Sequence, residues 1–250
     1  MINILVPLGG KSLFFESEEY PFPKPLIEIN GKSMIEIVIE NLSCIKEDSR
    51  FIFVVKTEDC YKYHLDNVLN LLTDSKSVIF KLSGETKGAV CSALMAIENI
   101  NNKEKLIITN GDQIINHDLN EILKYFENNN VDAGVICFSS VHPKWSYVRL
   151  DEDNKIVETA EKRPLSKNAI AGFYYFKHGS DFVKSAMKSI EKDSNVNGLY
   201  YIAPTLNEMV LENKNLEIFM IENSQYHSFY SPQKIKEYEN QFSRQNVNEN

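Results

Sequence analysis

Cysteine is scarce here. The chain has four in 250 residues, Cys44, Cys60, Cys91 and Cys137, far apart and without paired spacing. That excludes a disulfide framework and a cysteine-built zinc site, and leaves the reduced, mostly buried thiols of a cytoplasmic protein. Basic residues are also in deficit: 27 Lys+Arg stand against 35 Asp+Glu, a net charge of −8. A broad nucleic-acid footprint needs a basic face, so nucleic acid is not expected as a partner. A cleft with a few lysines and a metal ion can still draw in a small anionic ligand. Long apolar runs are missing too. None approaches the ~20 residues that span a bilayer, so no membrane partner is expected. The opening MINILVPLGG has no basic flank and reads as a strand, not a signal peptide. With 25% charged and 43% hydrophobic residues, the composition argues against disorder, collagen-like repeats and coiled coil. A chain this long buries about three quarters of its unfolded surface and needs no metal or disulfide to fold. No internal repeat or linker interrupts it. One domain over residues 1–244 is expected, followed by a polar tail at 245–250.

What is present is alternation. The pattern predicts strands at Asn3–Pro7, Arg50–Val55, Ser77–Leu82, Lys105–Thr109 and Ala133–Phe138. Between them it predicts helices at Ser33–Leu42, Tyr61–Leu72, Ala89–Ile100 and Leu119–Asn128, with Ser33 and Glu36 at capping-box spacing. Strands separated by helices imply right-handed crossovers and parallel pairing. After about residue 140 the predicted strands Tyr147–Leu150, Ile156–Ala160 and Ile170–Phe176 follow one another through short connections, which points to antiparallel or mixed pairing. Helices at Ser180–Glu191 and Pro204–Glu212, a strand at Leu216–Ile221 and a last helix opened by Ser231-Pro232 complete the chain. The fold class expected is α/β: one Rossmann-like domain with a mixed, mainly parallel central sheet flanked by helices.

In an open α/β sheet, ligands bind beyond the carboxyl ends of the strands. Three polar, glycine-bearing stretches fall at those ends: Gly9-Gly10-Lys11, Ser83 to Gly88, and Asn110-Gly111-Asp112-Gln113. Each alone could be an ordinary turn. Three on one edge favour a binding site. Asp112 ends an apolar strand, and a carboxylate there can hold Mg²⁺, which takes one or two protein carboxylates together with substrate phosphates and water. A turn or helix-cap role is the plainer alternative. In Pro23-Lys24-Pro25 the two prolines are expected to hold the loop extended and to fix Lys24 as a phosphate clamp. Glu161-Lys162-Arg163 after a strand is either a second cationic contact or a surface charge cluster. The loop Val196–Tyr201 could line an acceptor pocket or pack on the sheet edge, and Trp145, the only tryptophan, suits core and site equally.

Taken together these pieces resemble the nucleotidyltransferase family that makes nucleotide-activated sugars and related phosphate esters. The likeness is carried in order by ILVPLGG, PKPLIEINGKSMIE, GETKGAV, TNGDQ, HPKWSYVRLDED, AEKRP, AGFYYF, NGLYYIAP and the SPQKI turn, and it spans nearly the whole chain. It implies a single Rossmann-like domain of the kind shared with many glycosyltransferases (GT-A-like). The sequence is most similar to a branch found in capsule and surface-polysaccharide gene clusters, which includes a cytidylyltransferase acting on CTP and phosphoglutamine. By resemblance, Leu8, Gly9, Gly10 and Lys11 face the nucleotide, Lys24 meets its phosphates, and Glu85 and Gly88 touch the base. Asp112 binds Mg²⁺, Lys162 meets the acceptor's phosphate, Glu161 contacts the acceptor, and Gly172 and Asn197 lie in the acceptor pocket. The implied partners are a nucleoside triphosphate, CTP favoured, and a small phosphate monoester. A homo-oligomer is compatible with the family.

Two departures stand out. The family's first loop usually continues to an Arg that grips the triphosphate; here it reads GGKSLFF. Many members carry a second metal-binding Asp in a late loop; Tyr226 to Pro232 has no carboxylate. The reaction implied needs no general base, because a phosphate monoester with a second pKa of about 6 is already ionised at neutral pH. What it needs is cationic charge at mutually repelling oxyanions. A glycosyltransferase consuming a nucleotide sugar is one alternative, although such enzymes usually present Asp-x-Asp where this chain has Asn110-Gly111-Asp112. A catalytically inactive nucleotide-binding subunit is the other.

Overall fold

The computed structural model describes residues 1–10, 14–15 and 19–248; Lys11 lies outside them. In chain order the strands are β1 (Ile2–Pro7), β2 (Glu28–Ile29), β3 (Lys32–Ser33), β4 (Ser49–Lys56), β5 (Val78–Leu82), β6 (Lys105–Thr109) and β7 (Gln113–Ile115). Then come β8 (Ala133–Ser139), β9 (Ser146–Leu150), β10 (Ile156–Glu161), β11 (Asn168–Phe176), β12 (Leu216–Met220) and β13 (Tyr226–Ser228). The helices are α1 (Met34–Ser43), α2 (Thr57–Tyr63), α3 (Leu65–Leu72), α4 (Ala89–Leu94), α5 (Ile97–Ile100) and α6 (Leu119–Asn128). They end with α7 (Gly179–Glu191), α8 (Ile202–Leu211) and α9 (Pro232–Asn248), whose backbone runs into the polar tail.

A nine-stranded sheet carries the order β10-β9-β11-β6-β1-β4-β5, with β8 paired to β11 and β12 paired to β8. The pairs β1–β4, β1–β6, β4–β5 and β8–β12 are parallel. Only β11 and β10 run against the rest, so the sheet is mixed but mainly parallel, as expected. Strand alternation builds two core layers. Ile2, Ile4, Val6, Phe51, Phe53 and Val55 face one side, where Ile35 and Val38 of α1, Leu65 and Leu69 of α3 and Ile122 and Phe126 of α6 cover them. Leu5, Ile52 and Val54 face the other side, under Val90 of α4, Phe182 and Ala186 of α7 and Leu206 of α8. Each fully buried aliphatic or aromatic side chain contributes roughly 1.5–3 kcal/mol, so both layers are indispensable. A third small cluster, with Phe15, Ile29, Met34, Phe229 and Ile235, fastens the first loop and α9 to the start of α1.

Several local expectations need correction. The helix expected over Tyr61–Leu72 is two helices, broken where His64 adopts φ 55°, a left-handed turn that no helical periodicity reveals. The helix expected over Ala89–Ile100 is likewise split, at Met95-Ala96. Lys24 does not sit in an extended loop. Lys24–Leu26 forms a 3₁₀ turn closed by bonds from Leu26 N to Pro23 O (2.8 Å) and from Ile27 N to Lys24 O (3.2 Å). Proline is tolerated there because that position has no intrahelical N–H to lose. The short pairs β2–β3 and β7–β13 were not expected; two- and three-residue strands carry too little pattern to read. The capping box at Ser33 and Glu36 is present.

One irregularity positions the site. β11 pairs with β8 on both sides of a register shift between Ile170 and Tyr174, and Gly172 at the bulge has φ 62°. Beyond the bulge the strand outruns β6, whose last residue Thr109 pairs with Phe173. Residue 169 then pairs with Tyr147 of β9. β9 and the end of β10 therefore overhang the carboxyl rim of the parallel strands.

Candidate functional site

The carboxyl ends of β1, β4, β5 and β6 form one rim, and three adjoining cavities line it. The central one, about 260 Å³, is bounded by Leu8 and Gly10 after β1, by Lys24 and Pro25, and by Asn110, Gly111 and Asp112 after β6. It shares Pro7, Gly10 and Asn110 with a larger cavity of about 490 Å³, lined by Gly9, Glu85, Gly88, Lys162, Leu199 and Tyr201 among others. It shares Leu8, Gly10, Lys24 and Pro25 with a third of about 220 Å³ that reaches Phe15, Lys56 and Tyr63. The three form one continuous cleft. Of the residues singled out from the sequence, it gathers Leu8, Gly9, Gly10, Lys24, Glu85, Gly88, Asp112 and Lys162.

Lys24 and Asp112, 88 positions apart, meet directly. The Lys24 ammonium donates to Asp112 Oδ2, and each side chain keeps only about a fifth of its surface exposed (19% and 21%). The 3₁₀ turn presents Lys24, and the Phe15 ring lies 5.6 Å from its Nζ. Asp112 is fixed through its own backbone, since Phe229 N donates to Asp112 O at 2.7 Å. Beside it, the Asn110 side-chain amide donates to Gln113 Oε1 (3.2 Å), and Gln113 Nε2 donates to Ala171 O (2.5 Å). Tyr226 Oη also donates to Gln113 Oε1 (3.1 Å), and burial pushes that phenol well above its ordinary range. Gly172 makes this network fit. A Cβ on it would lie 2.2 Å from Asn110 Nδ2 and 2.6 Å from Gln113 Oε1. The structure thus puts Gly172 behind the Asn110–Gln113 pair, a backbone reason for glycine there.

At the other end of the cleft Lys162 follows β10 with φ 55°. Its Nζ donates to Tyr201 Oη at 2.7 Å and sits 4.7 Å from the centre of that ring. The neighbouring Glu161 accepts a hydrogen bond from the Ser146 hydroxyl, and burial holds its carboxyl above the usual range against the opposing pull of Lys162. Gly88, at φ 103°, lets two loops touch. A Cβ on it would lie 2.4 Å from Tyr200 O, while Tyr200 N donates to Lys87 O (2.8 Å) and Val90 N donates to Tyr200 O (3.1 Å). Asn197 is exposed, in a two-residue Asn-Gly turn closed by Val196 and Leu199. Its φ of 53°, followed by 77° at Gly198, is what such a turn requires. That segment reaches the cleft through Leu199 and Tyr201. Trp145 packs edge-on against Phe138 (5.3 Å) and Tyr226 (5.7 Å), so it belongs to an aromatic wall.

Asn110, Tyr201 and Lys56 are among the lining residues that the sequence alone does not single out. Asn110 and Tyr201 stood inside stretches already noted; Lys56 ends a strand with no motif around it. Among the described residues no group of three or more His, Cys, Asp or Glu side chains is gathered to hold a metal ion, and Asp112 is the carboxylate that lines the central cavity. Its donor set fits Mg²⁺ that takes its other ligands from phosphates and water, and the Lys24 ammonium already stands in as a cation on that carboxylate. Among the described residues no helix is long and apolar enough to cross a membrane.

A family model described as nucleotidyl transferase matches residues 20–226. Among curated proteins, the chain is similar to a bifunctional protein GlmU of Methanocaldococcus jannaschii, 26% identical over 194 residues, covering 71% of this chain and 44% of that protein. A GlmU of Methanococcus maripaludis is 30% identical over 158 residues, covering 61% of this chain and 34% of that protein. The chain thus spans less than half the length of these relatives. Among solved structures, a nucleoside-diphosphate-sugar pyrophosphorylase from Vibrio cholerae superposes with a TM-score of 0.81 at 19% identity, covering 95% of this chain and 99% of that one. A UDP-glucose pyrophosphorylase complexed with UDP-glucose gives 0.77 at 17%, covering 98% and 100%. At such identities these two matches speak for the fold.

Proposed function

The chain belongs to the nucleotidyl transferase family, and from that premise we propose that it joins a phosphate monoester to the α-phosphorus of a nucleoside triphosphate. An acceptor phosphate oxygen forms the new bond to phosphorus. The bond from that phosphorus to the α–β bridging oxygen breaks, and pyrophosphate leaves with the electron pair. No proton has to be removed, since the acceptor is ionised near neutral pH. The observation that carries this reading is the placing of Lys24, Asp112 and Lys162 along one continuous cleft at the carboxyl rim of the sheet.

In this reading the base lies against Glu85 and Gly88 in the larger cavity, and the triphosphate runs across Gly9 and Gly10 to Lys24. Lys24 exchanges Asp112 for phosphate oxygens. Asp112 would then hold Mg²⁺, which supplies charge neutralisation at the phosphate oxygens when bound. Lys162 receives the acceptor's phosphate, and Glu161 orients the acceptor beside it. Positioning and fixed positive charge do the catalytic work. We favour CTP as donor and a sugar phosphate or phosphoglutamine as acceptor, for capsule or surface-polysaccharide precursors made in the cytoplasm. The support is the similarity of the sequence as a whole to that branch.

The test is a grid of four nucleoside triphosphates against candidate phosphate monoesters with Mg²⁺, read as pyrophosphate release. Release with CTP and one phosphate monoester supports the full reading. Release with another triphosphate keeps the reaction and overturns the base. No release on any pair overturns the reaction.

A further inference from the structure

We propose that Tyr201 is a positioning residue that holds Lys162 over the acceptor site and ties it to the base-side loop; this deepens, and rests on, the function proposed above. Lys162 is an exposed side chain on a long flexible stem, and holding such a side chain in one geometry costs rotamer entropy. Its backbone is also in a conformation that L-residues avoid, φ 55°, which costs roughly 1–2 kcal/mol for a residue with a Cβ. Surrounding contacts must therefore fix it. Lys162 N donates to Trp145 O at 3.0 Å, which anchors the backbone. The side chain is anchored by the same segment of the cleft wall. Tyr201 Oη accepts a hydrogen bond from Nζ at 2.7 Å, which leaves the ring centre 4.7 Å from the ammonium, beyond the hydroxyl. Because this partner is neutral, the charge of Lys162 is aimed without being cancelled. A carboxylate in the same place would cancel it.

Tyr201 is itself fixed from the other side of the cleft. Its neighbour Tyr200 exchanges backbone hydrogen bonds with Lys87 and Val90, and Gly88 lies so close that no side chain fits between them. A rigid path runs from the loop that faces the base, through Tyr200 and Tyr201, to the lysine that faces the acceptor. Tyr201 touches the cleft wall but is assigned no contact with the reacting atoms.

The experiment has two arms. In the kinetic arm, Tyr201→Phe removes the hydroxyl and keeps the ring. The acceptor KM is expected to rise about 5–10-fold, with kcat within about twofold and the triphosphate KM unchanged, the scale of one ordinary hydrogen bond. In a Lys162→Met background the same change should have no further effect. An unchanged acceptor KM, or an equal rise with Lys162 already gone, overturns the proposal. The second arm needs no turnover. Reductive ¹³C-methylation gives each lysine an NMR signal, and that of Lys162 is assigned by its loss in Lys162→Arg. Contact with the Tyr201 hydroxyl should shift this signal from the free-lysine position in the wild-type protein, and the shift should vanish in Tyr201→Phe and in Tyr201→Leu. A Lys162 signal at the free-lysine position in wild type overturns the positioning even if the enzyme works. A shifted signal in a protein inert on the whole substrate grid would overturn the reaction and leave the positioning standing.

Discussion

Lys24 and Lys162 stand at the two ends of one cleft and are held in opposite ways. Lys24 is half-buried and paired with a carboxylate, Asp112, so its charge is cancelled until something displaces one partner. Lys162 is exposed and paired with a neutral phenol, so its charge is kept and only its direction is set. The first end is buried in the parallel half of the sheet, where β1 and β6 bring their loops together. The second overhangs the rim on β9 and β10, beyond the bulge in β11. On the function proposed, the difference teaches that the Lys24 end would exchange one ionic partner for another, while the Lys162 end would keep its charge free for an acceptor.

The largest effect that would sharpen this contrast is at Asp112. Asp112→Ala removes the carboxylate that pairs with Lys24 and that, on the function proposed, would hold a divalent ion. Pyrophosphate release should fall by about 10²–10³, the usual loss for one stabilising contact of this kind, with an unchanged circular dichroism spectrum. A rate within twofold of wild type would break the account at its more buried end.

Next comes the seam between the two ends. Gly88→Ala places a methyl group 2.4 Å from Tyr200 O at a backbone φ of 103°. Such overpacking costs roughly 1–3 kcal/mol, and the melting temperature should drop by several degrees. KM for triphosphate and acceptor should rise together, because the base-side loop and the Tyr201 segment move as one. A change in only one of the two would show that the seam does not couple them.

The smallest effect lies outside the cleft and serves as a control on charge pairing. Glu212, after α8, accepts from Lys184 (2.8 Å) and Lys188 (2.5 Å), and these two cations hold its carboxyl down at about 2. A carboxyl depressed in the folded state stabilises it above the ordinary pKa near 4.5, and that contribution disappears as pH falls through about 2. Glu212→Gln should lower the melting temperature slightly at pH 7 and leave it unchanged near pH 2. A variant equally destabilised at both would mean that packing, not charge, is what Glu212 supplies.

How much of this was legible in the sequence follows from range. The α/β alternation reads well because period-2 and period-3.6 patterns are local; Ile4, Val6, Phe51 and Phe53 announce their shared face directly. The candidate positions Gly9, Gly10, Lys24, Glu85, Gly88, Asp112 and Lys162 stood out because strand ends and motifs mark them, and the fold gathers them along one cleft. Pairings across the chain were illegible. Nothing local says that Lys24 meets Asp112, that Lys162 meets Tyr201, or that β13 returns to β7 and brings Phe229 to the backbone of Asp112. Nor does periodicity show where a helix breaks, as at His64, since one left-handed residue leaves the apolar spacing intact. Gly172 and Asn197 were read as acceptor contacts; the structure supplies a bulge for one and a tight turn for the other, each a backbone reason independent of any ligand.

The central claim is that each lysine serves its own substrate, and cross-titration tests it most directly. With the substrate pair that the grid identifies, pyrophosphate release by Lys24→Met and Lys162→Met is measured while triphosphate and acceptor are varied separately. The account predicts a raised triphosphate KM with little change for the acceptor in Lys24→Met, and the reverse in Lys162→Met. Equal changes for both substrates in both variants would contradict it.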